Sequence, residues 1–496
     1  MNDRSARAGR QHADFELTRD KHTTTHDTSE STNKLPSLFS LDGFALLCVF
    51  VQVTELYRPL GYLFGFPNSL WVNTAFLLFL SGYLVARVET LKELRSNVAI
   101  MWCFALIGAP LVVMILQSFD GSVTLNRLAY WTIFASLFVL LLLTTIVLWT
   151  RWGPVLTRPF FLAAIASAWF GFAVNWWDYQ FLRNVMEHGS ISIWISEYTT
   201  RAIGFYQHPN AAAFSLVLYF TCLVCDRRFL SGSVMLQSAA AMGSVVGVLI
   251  TGSRTSLALL VLAFLWYLRN LAKAAVDRRS SDPESARRRA LLMPLIPISV
   301  SMMSIIVLQI LAVSRRDLAD MVSLRIASLT ELGSDVSAGQ RITMVNRYLT
   351  DLAESPLLGH GPDYATQQIA AGKYLNVSQN AWLEWSVAMG IPYAILMATL
   401  LIYTYRYIRN NTLLQPLLHS FASLMAIVFV IISFSMVNPF WLRSPICALG
   451  VLLGLVTYSL NQNLGDTAPT ARVPNHFVHH ARDHRFVRAR PKKIFS

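Results

Sequence analysis

Three arginines in this chain stand where a cation is costly. They are Arg201 in RAIGFYQHPN, Arg254 in TGSRTS and Arg341 in GQRITM, each set among turn-forming residues beside an apolar run. A guanidinium at a hydrocarbon boundary is unfavourable unless something anionic meets it, and its planar fork of N–H donors fits phosphate oxygens two at a time. A lone arginine in such a place snorkels to a lipid headgroup. Three of them, carried to one face by separate loops, point to an anionic ligand. A second set of reactive side chains lies in a hydrophilic stretch over residues 313–382: His360 in PLLGHGPDY, then Asp363, Gln379 and Asn380, with Glu384 just beyond. His208 in QHPN falls on the same face. His360 and His208 each have two readings, a proton acceptor or a turn residue bonding backbone, and Asp363 after Pro362 suits an Asx-type turn as well as proton transfer.

The elements that position these residues are set by composition. Of 496 residues 54% are hydrophobic and only 14% are charged, and apolar stretches long enough to cross about 30 Å of hydrocarbon recur throughout. The chain reads as an all-α polytopic membrane protein of about twelve spans, near 38–57, 69–87, 97–117, 128–149, 159–181, 208–225, 231–251, 255–271, 291–312, 382–404, 413–436 and 444–460. With a cytoplasmic N-terminus, most of the 41 lysines and arginines fall in cytoplasmic loops and tails, so both termini are placed in the cytoplasm. The net charge of +13 then reflects topology and attraction to anionic headgroups, with no nucleic-acid partner.

This gives a cytoplasmic tail over 1–36, spans one to nine over 37–312, a large exported loop over 313–381, spans ten to twelve over 382–461 and a basic tail over 462–496. The first tail lacks the apolar core of a signal peptide. His479, His480 and His484 in the last tail have no Cys or carboxylate partners at ligand spacing, so no metal site is expected there. Cys222 and Cys225 form a C-x-x-C inside an apolar helix, where small packing residues are a better reading than a redox pair. Trp176, Trp177, Tyr179 and Phe181 form an interfacial aromatic belt, with sugar stacking as the other reading. From Arg341 onward, Ile342, Val345, Leu349 and Leu352 recur at helical spacing and Pro356 stops the pattern, which predicts an amphipathic helix with Arg341 at its N-terminal end.

The ordered set of motifs resembles the superfamily of O-antigen ligases and of O-antigen and exopolysaccharide polymerases. RAIGFYQHPNAAAF is similar to its Arg, Gly, Pro-Asn signature, and TGSRTSLALL to its Ser-Arg-Thr turn. GQR, PLLGHG and QNAWLEWSVAMGIP are similar to its loop-and-helix block, and the resemblance spans roughly residues 195–400. It implies an all-helical membrane glycosyltransferase (GT-C-like) of the bacterial inner membrane with one large periplasmic loop. It also implies a donor glycan on undecaprenyl pyrophosphate and an acceptor that is either another glycan or lipid-A core. Arg201, Arg254 and Arg341 would bind the pyrophosphate, and bidentate guanidinium donors can stabilise the charge of that leaving group without metal or other cofactor. Among enzymes of this type a His precedes the Asn at the start of span ten; here it is Gln379 before Asn380, and Gln cannot take a proton. His360 then becomes the candidate base, with Gln379 and Asn380 orienting the acceptor and His208, Asp363 and Glu384 in reserve.

The missing His and the long tails favour a polymerase over a ligase. A transporter or flippase of lipid-linked glycans would also use cations near pyrophosphate, but it calls for internal repeats and ionisable groups deep in the spans, and the sequence shows neither plainly. A signalling or scaffold protein would leave the exported loop without a role.

Overall fold

The computed structural model describes residues 35–66, 69–92, 97–119, 121, 123–188, 202–206, 208–279, 336–362, 364–374, 380–412, 416–433 and 442–467, with isolated positions between 300 and 309. All regular structure among them is helical. The apolar helix α1 (Leu41–Val53) is capped by the Ser40 hydroxyl, which accepts from the Gly43 N–H at 3.0 Å. It bends by 95° into the short α2 (Tyr57–Leu63). There follow α3 (Ser69–Ala86), α4 (Val88–Lys92), α5 (Asn97–Phe119, with a π-turn at Phe104–Gly108), α6 (Leu125–Trp152), α7 (Thr157–Trp177) and α8 (Tyr179–His188). Next come α9 (Pro209–Val224), α10 (Arg227–Leu230), α11 (Val234–Thr251) and α12 (Arg254–Arg279). The last group is α13 (Val336–Glu354), α14 (Tyr364–Ala370), α15 (Ala381–Met389), α16 (Ile391–Asn411), α17 (Pro416–Ser433) and α18 (Arg443–Thr467).

Seven of these helices, α5, α6, α7, α11, α12, α16 and α18, are long and apolar enough to cross a membrane, and the bent pair α1–α2 makes an eighth if it is one span. The protein is therefore polytopic and helical. Apolar helices at three further predicted positions, in α3, α9 and α17, are shorter. At 16 residues α9 is about 24 Å long, yet all of its residues except Asn210 are buried. Its surroundings are other helices and not lipid, so spanning length is not what its sequence has to satisfy. Span nine lies almost wholly outside the described residues.

Packing follows the rules of helices in lipid, where close backbone approach replaces the hydrophobic drive. Among the described residues the most extensive helix pair joins α6 and α18, and two glycines one turn apart make it possible. A Cβ on Gly450 would lie 2.8 Å from the Thr145 Cβ, and one on Gly454 would lie 2.6 Å from the Trp149 Cβ. At the end of the bundle where α1 begins, buried Asp42 ties three helices together. It accepts from Tyr83 at 3.1 Å and Trp152 at 3.1 Å and pairs with Arg87 and Arg151 at 2.9 and 3.3 Å. Large apolar side chains such as Phe104, Val112, Leu265, Ile395 and Ile402 point outward, as lipid contact requires.

Candidate functional site

The site is built around a break in a helix. The apolar run expected as one span over 382–404 is two helices, α15 and α16, interrupted at Gly390 with φ 85°, a left-handed conformation that suits glycine. The loop 355–362 is pressed against this break. The His360 N–H donates to the Val387 carbonyl at 2.8 Å, Gly361 to Ala388 at 2.9 Å and Ile391 to Pro356 at 2.9 Å. A Cβ on Gly390 would sit 1.9 Å from the Leu357 oxygen, and one on Gly359 would sit 2.7 Å from the Ala388 oxygen. The glycines of the PLLGHG and AMGIP motifs are thus explained by backbone lying on backbone. From the end of α5, the buried Gln117 amide donates to Leu358 O at 2.7 Å and to Ala388 O at 3.1 Å, fastening both sides of the splice. No sequence motif marks Gln117.

His360 sits on this platform, half-buried. Its Nε2 lies 2.8 Å from the Asp351 carbonyl, and its ring stacks on Tyr364 with centroids 4.4 Å apart. A carbonyl only accepts, so Nε2 is the donor in this bond. The neighbouring Asp351 carboxylate accepts from the Tyr374 hydroxyl, and Tyr374 stacks on buried Tyr348 at 4.8 Å. Burial first, then the charge of Asp351, pushes the Tyr364 hydroxyl up to about 12, and the same causes raise Tyr374, so both phenols stay protonated.

The helix leading into this platform differs from expectation. α13 begins at Val336, which puts Arg341 five residues inside it and away from the unpaired N–H groups of the first turn. Its inner face carries buried Met344 and Tyr348 with Val345 and Leu352, while Ile342 and Leu349 are exposed. The stripe read from periodicity is rotated because Met344 and Tyr348 meet Leu383 and Val387 of α15. Asn380 caps α15, its side-chain oxygen accepting from the Leu383 N–H at 3.2 Å, and Glu384 is buried in the first turn. Gln379 and Asp363 lie outside the described residues, and so does the Arg341 side chain.

A second cluster lies where α9 and α12 begin. α11 ends at Gly252 in the left-handed conformation, and the chain reverses through Ser253 into α12, whose first residue is half-buried Arg254. The Ala202 N–H donates to the Ile250 carbonyl at 3.2 Å, so the residue following Arg201 lies against the turn that carries Arg254. Arg201 itself is outside the described residues. His208 caps α9, its Nδ1 accepting from the Asn210 N–H at 3.0 Å, with Pro209 in the first turn. That bond commits Nδ1 of His208 to structure. Gly171 and Gly204 face each other so closely that a Cβ on Gly171 would lie 3.1 Å from the Gly204 Cα, which holds segment 202–206 against α7.

A bundle of apolar helices bearing a cationic turn, with a histidine fixed on a glycine splice, defines a polytopic helical membrane protein. Residues 239–398, from within α11 to within α16, match the family described as O-antigen ligase, so this third of the chain is similar to that family. The matched stretch includes Arg254, Arg341, His360 and Asn380; Arg201 and His208 precede it. No curated protein matches the chain.

Proposed function

We propose that this protein is a polysaccharide polymerase of the bacterial inner membrane. It would extend glycans at the periplasmic face from an undecaprenyl-pyrophosphate-linked donor. The observation that carries this reading is the family match over residues 239–398, within which Arg254 opens a helix at a tight turn and His360 is fixed on the splice. In the reaction the acceptor hydroxyl oxygen bonds to the anomeric carbon while the bond to the pyrophosphate oxygen breaks, and the pyrophosphate leaves with the electron pair. Arg201, Arg254 and Arg341 stabilise that leaving group, and no metal is required. The hydroxyl proton goes to Nδ1 of His360, whose Nε2–H is anchored on the Asp351 carbonyl in the tautomer a base needs. Asn380 and Gln379 orient the acceptor, with His208, Asp363 and Glu384 as further polar groups of the site. The twelve-span arrangement, the single periplasmic loop over 313–381 and the cytoplasmic tails belong to the same proposal.

Deletion of the gene followed by gel analysis of surface polysaccharide tests the reading. Single repeats attached without long chains support a polymerase; carrier-linked polymer with nothing joined to lipid-A core indicates a ligase instead. Cysteines placed at Ser337 and Ser281 in a background without native cysteine should label from outside only at 337, and labelling at 281 would overturn the topology. For the base, His360→Ala should lower transfer by about 10²-fold while Gln379→His retains activity. Recovery in the double variant at matched expression supports a base that can be relocated, and full activity in His360→Ala alone removes it from the mechanism.

A further inference from the structure

The bend between α1 and α2 holds buried charge that the site above does not use. Glu55, in the turn between these helices, has φ 58°, a conformation that is strained for a residue other than glycine. It is buried and pairs with buried Arg58 at 2.8 Å. Arg443, the first residue of α18, is only 4% exposed, and among the described residues its hydrogen bond goes to a neutral amide, Asn73 Oδ1 at 3.3 Å. Its guanidinium carbon lies 4.0 Å from the centroid of the Tyr57 ring and 5.9 Å from that of Phe134. The Arg58 guanidinium lies 5.1 Å from the same Tyr57 ring. Among the described residues two cations therefore lie by one ring with one carboxylate beside them, and both Arg58 Nη2 and Arg443 Nε are buried without a hydrogen-bond partner there. A buried guanidinium left one counter-charge short is strongly unfavourable, and aromatic faces offset only part of that.

We propose that Arg58 and Arg443 form a second oxyanion site, one that binds a phosphoryl group at this end of the bundle. The bend is wired to the cationic turn described above. The Tyr219 hydroxyl donates to the Val53 carbonyl at 2.9 Å and meets the Tyr206 hydroxyl at 3.1 Å, and Ser215 of α9 meets Ser444 of α18 at 2.7 Å. Segment 202–206 thus bonds to Ile250, just before the Arg254 turn, and reaches the α1–α2 bend through Tyr219. The phosphoryl group has two possible sources: the pyrophosphate of a lipid-linked donor, which rests on the proposed function, or a phospholipid headgroup, which does not.

The test uses the full-length protein in phosphatidylcholine nanodiscs and reads thermal unfolding against added inorganic pyrophosphate or incorporated phosphatidylglycerol. Measuring in an Arg254→Gln background isolates this site from the proposed donor contacts. A saturable rise in midpoint is expected, with Arg443→Gln weakening the apparent affinity about tenfold. Since Arg443→Gln could act by loosening α18, the sharper variant is Glu55→Gln. It removes the competing carboxylate while keeping a hydrogen-bond acceptor for Arg58, and it should tighten binding several-fold, a gain that a purely structural cluster does not produce. Dependence on pyrophosphate supports the donor as the source, and dependence on phosphatidylglycerol alone supports the headgroup. A response to both anions that neither variant alters would overturn the proposal. Binding is read without turnover, so loss of the polymerase reading leaves this test intact.

Discussion

Among the described residues, the apolar runs at Gly390 and at Glu55 are both broken, and the breaks are held open by different means. At Gly390 the backbone turns left-handed at a residue with no Cβ, and the gap is filled by the main chain of Leu357–Gly361 with Gln117 across both sides. At Glu55 the backbone turns left-handed at a residue that has a side chain, and the bend is held by a buried ion pair. The first break costs little conformational strain and depends on shape; the second carries about 1 kcal/mol or more of strain and depends on charge. A glycine at a break is explained by space alone. A glutamate at one calls for a reason residing in its carboxylate.

The largest effect should come from closing the space at the first break. Gly390→Ala puts a Cβ onto the Leu357 oxygen and forces a left-handed alanine, so folded, monodisperse protein in size-exclusion chromatography should be nearly lost. Normal yield and melting would mean that loop 355–362 does not lie on the break.

Next in size are the arginines. Arg254→Lys should lower glycan assembly nearly as far as Arg254→Ala, roughly 10- to 100-fold, because lysine keeps the charge and loses the planar fork. Arg201 and Arg341 should behave alike if the three share one pyrophosphate, and wild-type assembly in all three alanine variants at normal protein levels would sink that reading.

Gln117→Ala probes the clamp without touching the glycines. It removes two hydrogen bonds to buried carbonyls, a loss of about 2 kcal/mol that should appear as a lower melting temperature. An unchanged melting temperature would show that backbone contacts alone hold the splice.

The smallest net effect is expected at the second break. Glu55→Gly relieves the strained backbone but strands buried Arg58, and these act in opposite directions, with stranding the larger. A modestly lower melting temperature is expected. A more stable Glu55→Gly protein would show that strain outweighs the ion pair and that the bend needs no carboxylate.

What the sequence determined by itself follows from local rules. Apolar runs in a chain with few charges require helices in lipid, because a backbone without water must bond to itself. The turn at Gly252, the cap at His208 and the stop after Glu354 are short-range features, and residue types within a few positions specify them. What only the tertiary structure decided depends on contacts distant in sequence. The run over 382–404 carries a stop-and-restart signal in Gly390 and Pro392, but what occupies the break, the loop after α13, is decided by a contact distant in sequence. Periodicity showed that α13 has an apolar face but not which neighbour would select it, and Met344 and Tyr348 turned inward to meet α15. Gln117 in an apolar helix looks like an unremarkable polar residue until two carbonyls from beyond position 350 arrive beside it. Arg58 and Arg443 are 385 positions apart, and only the packing of α2 against the start of α18 brings both within 5.1 Å of one tyrosine ring.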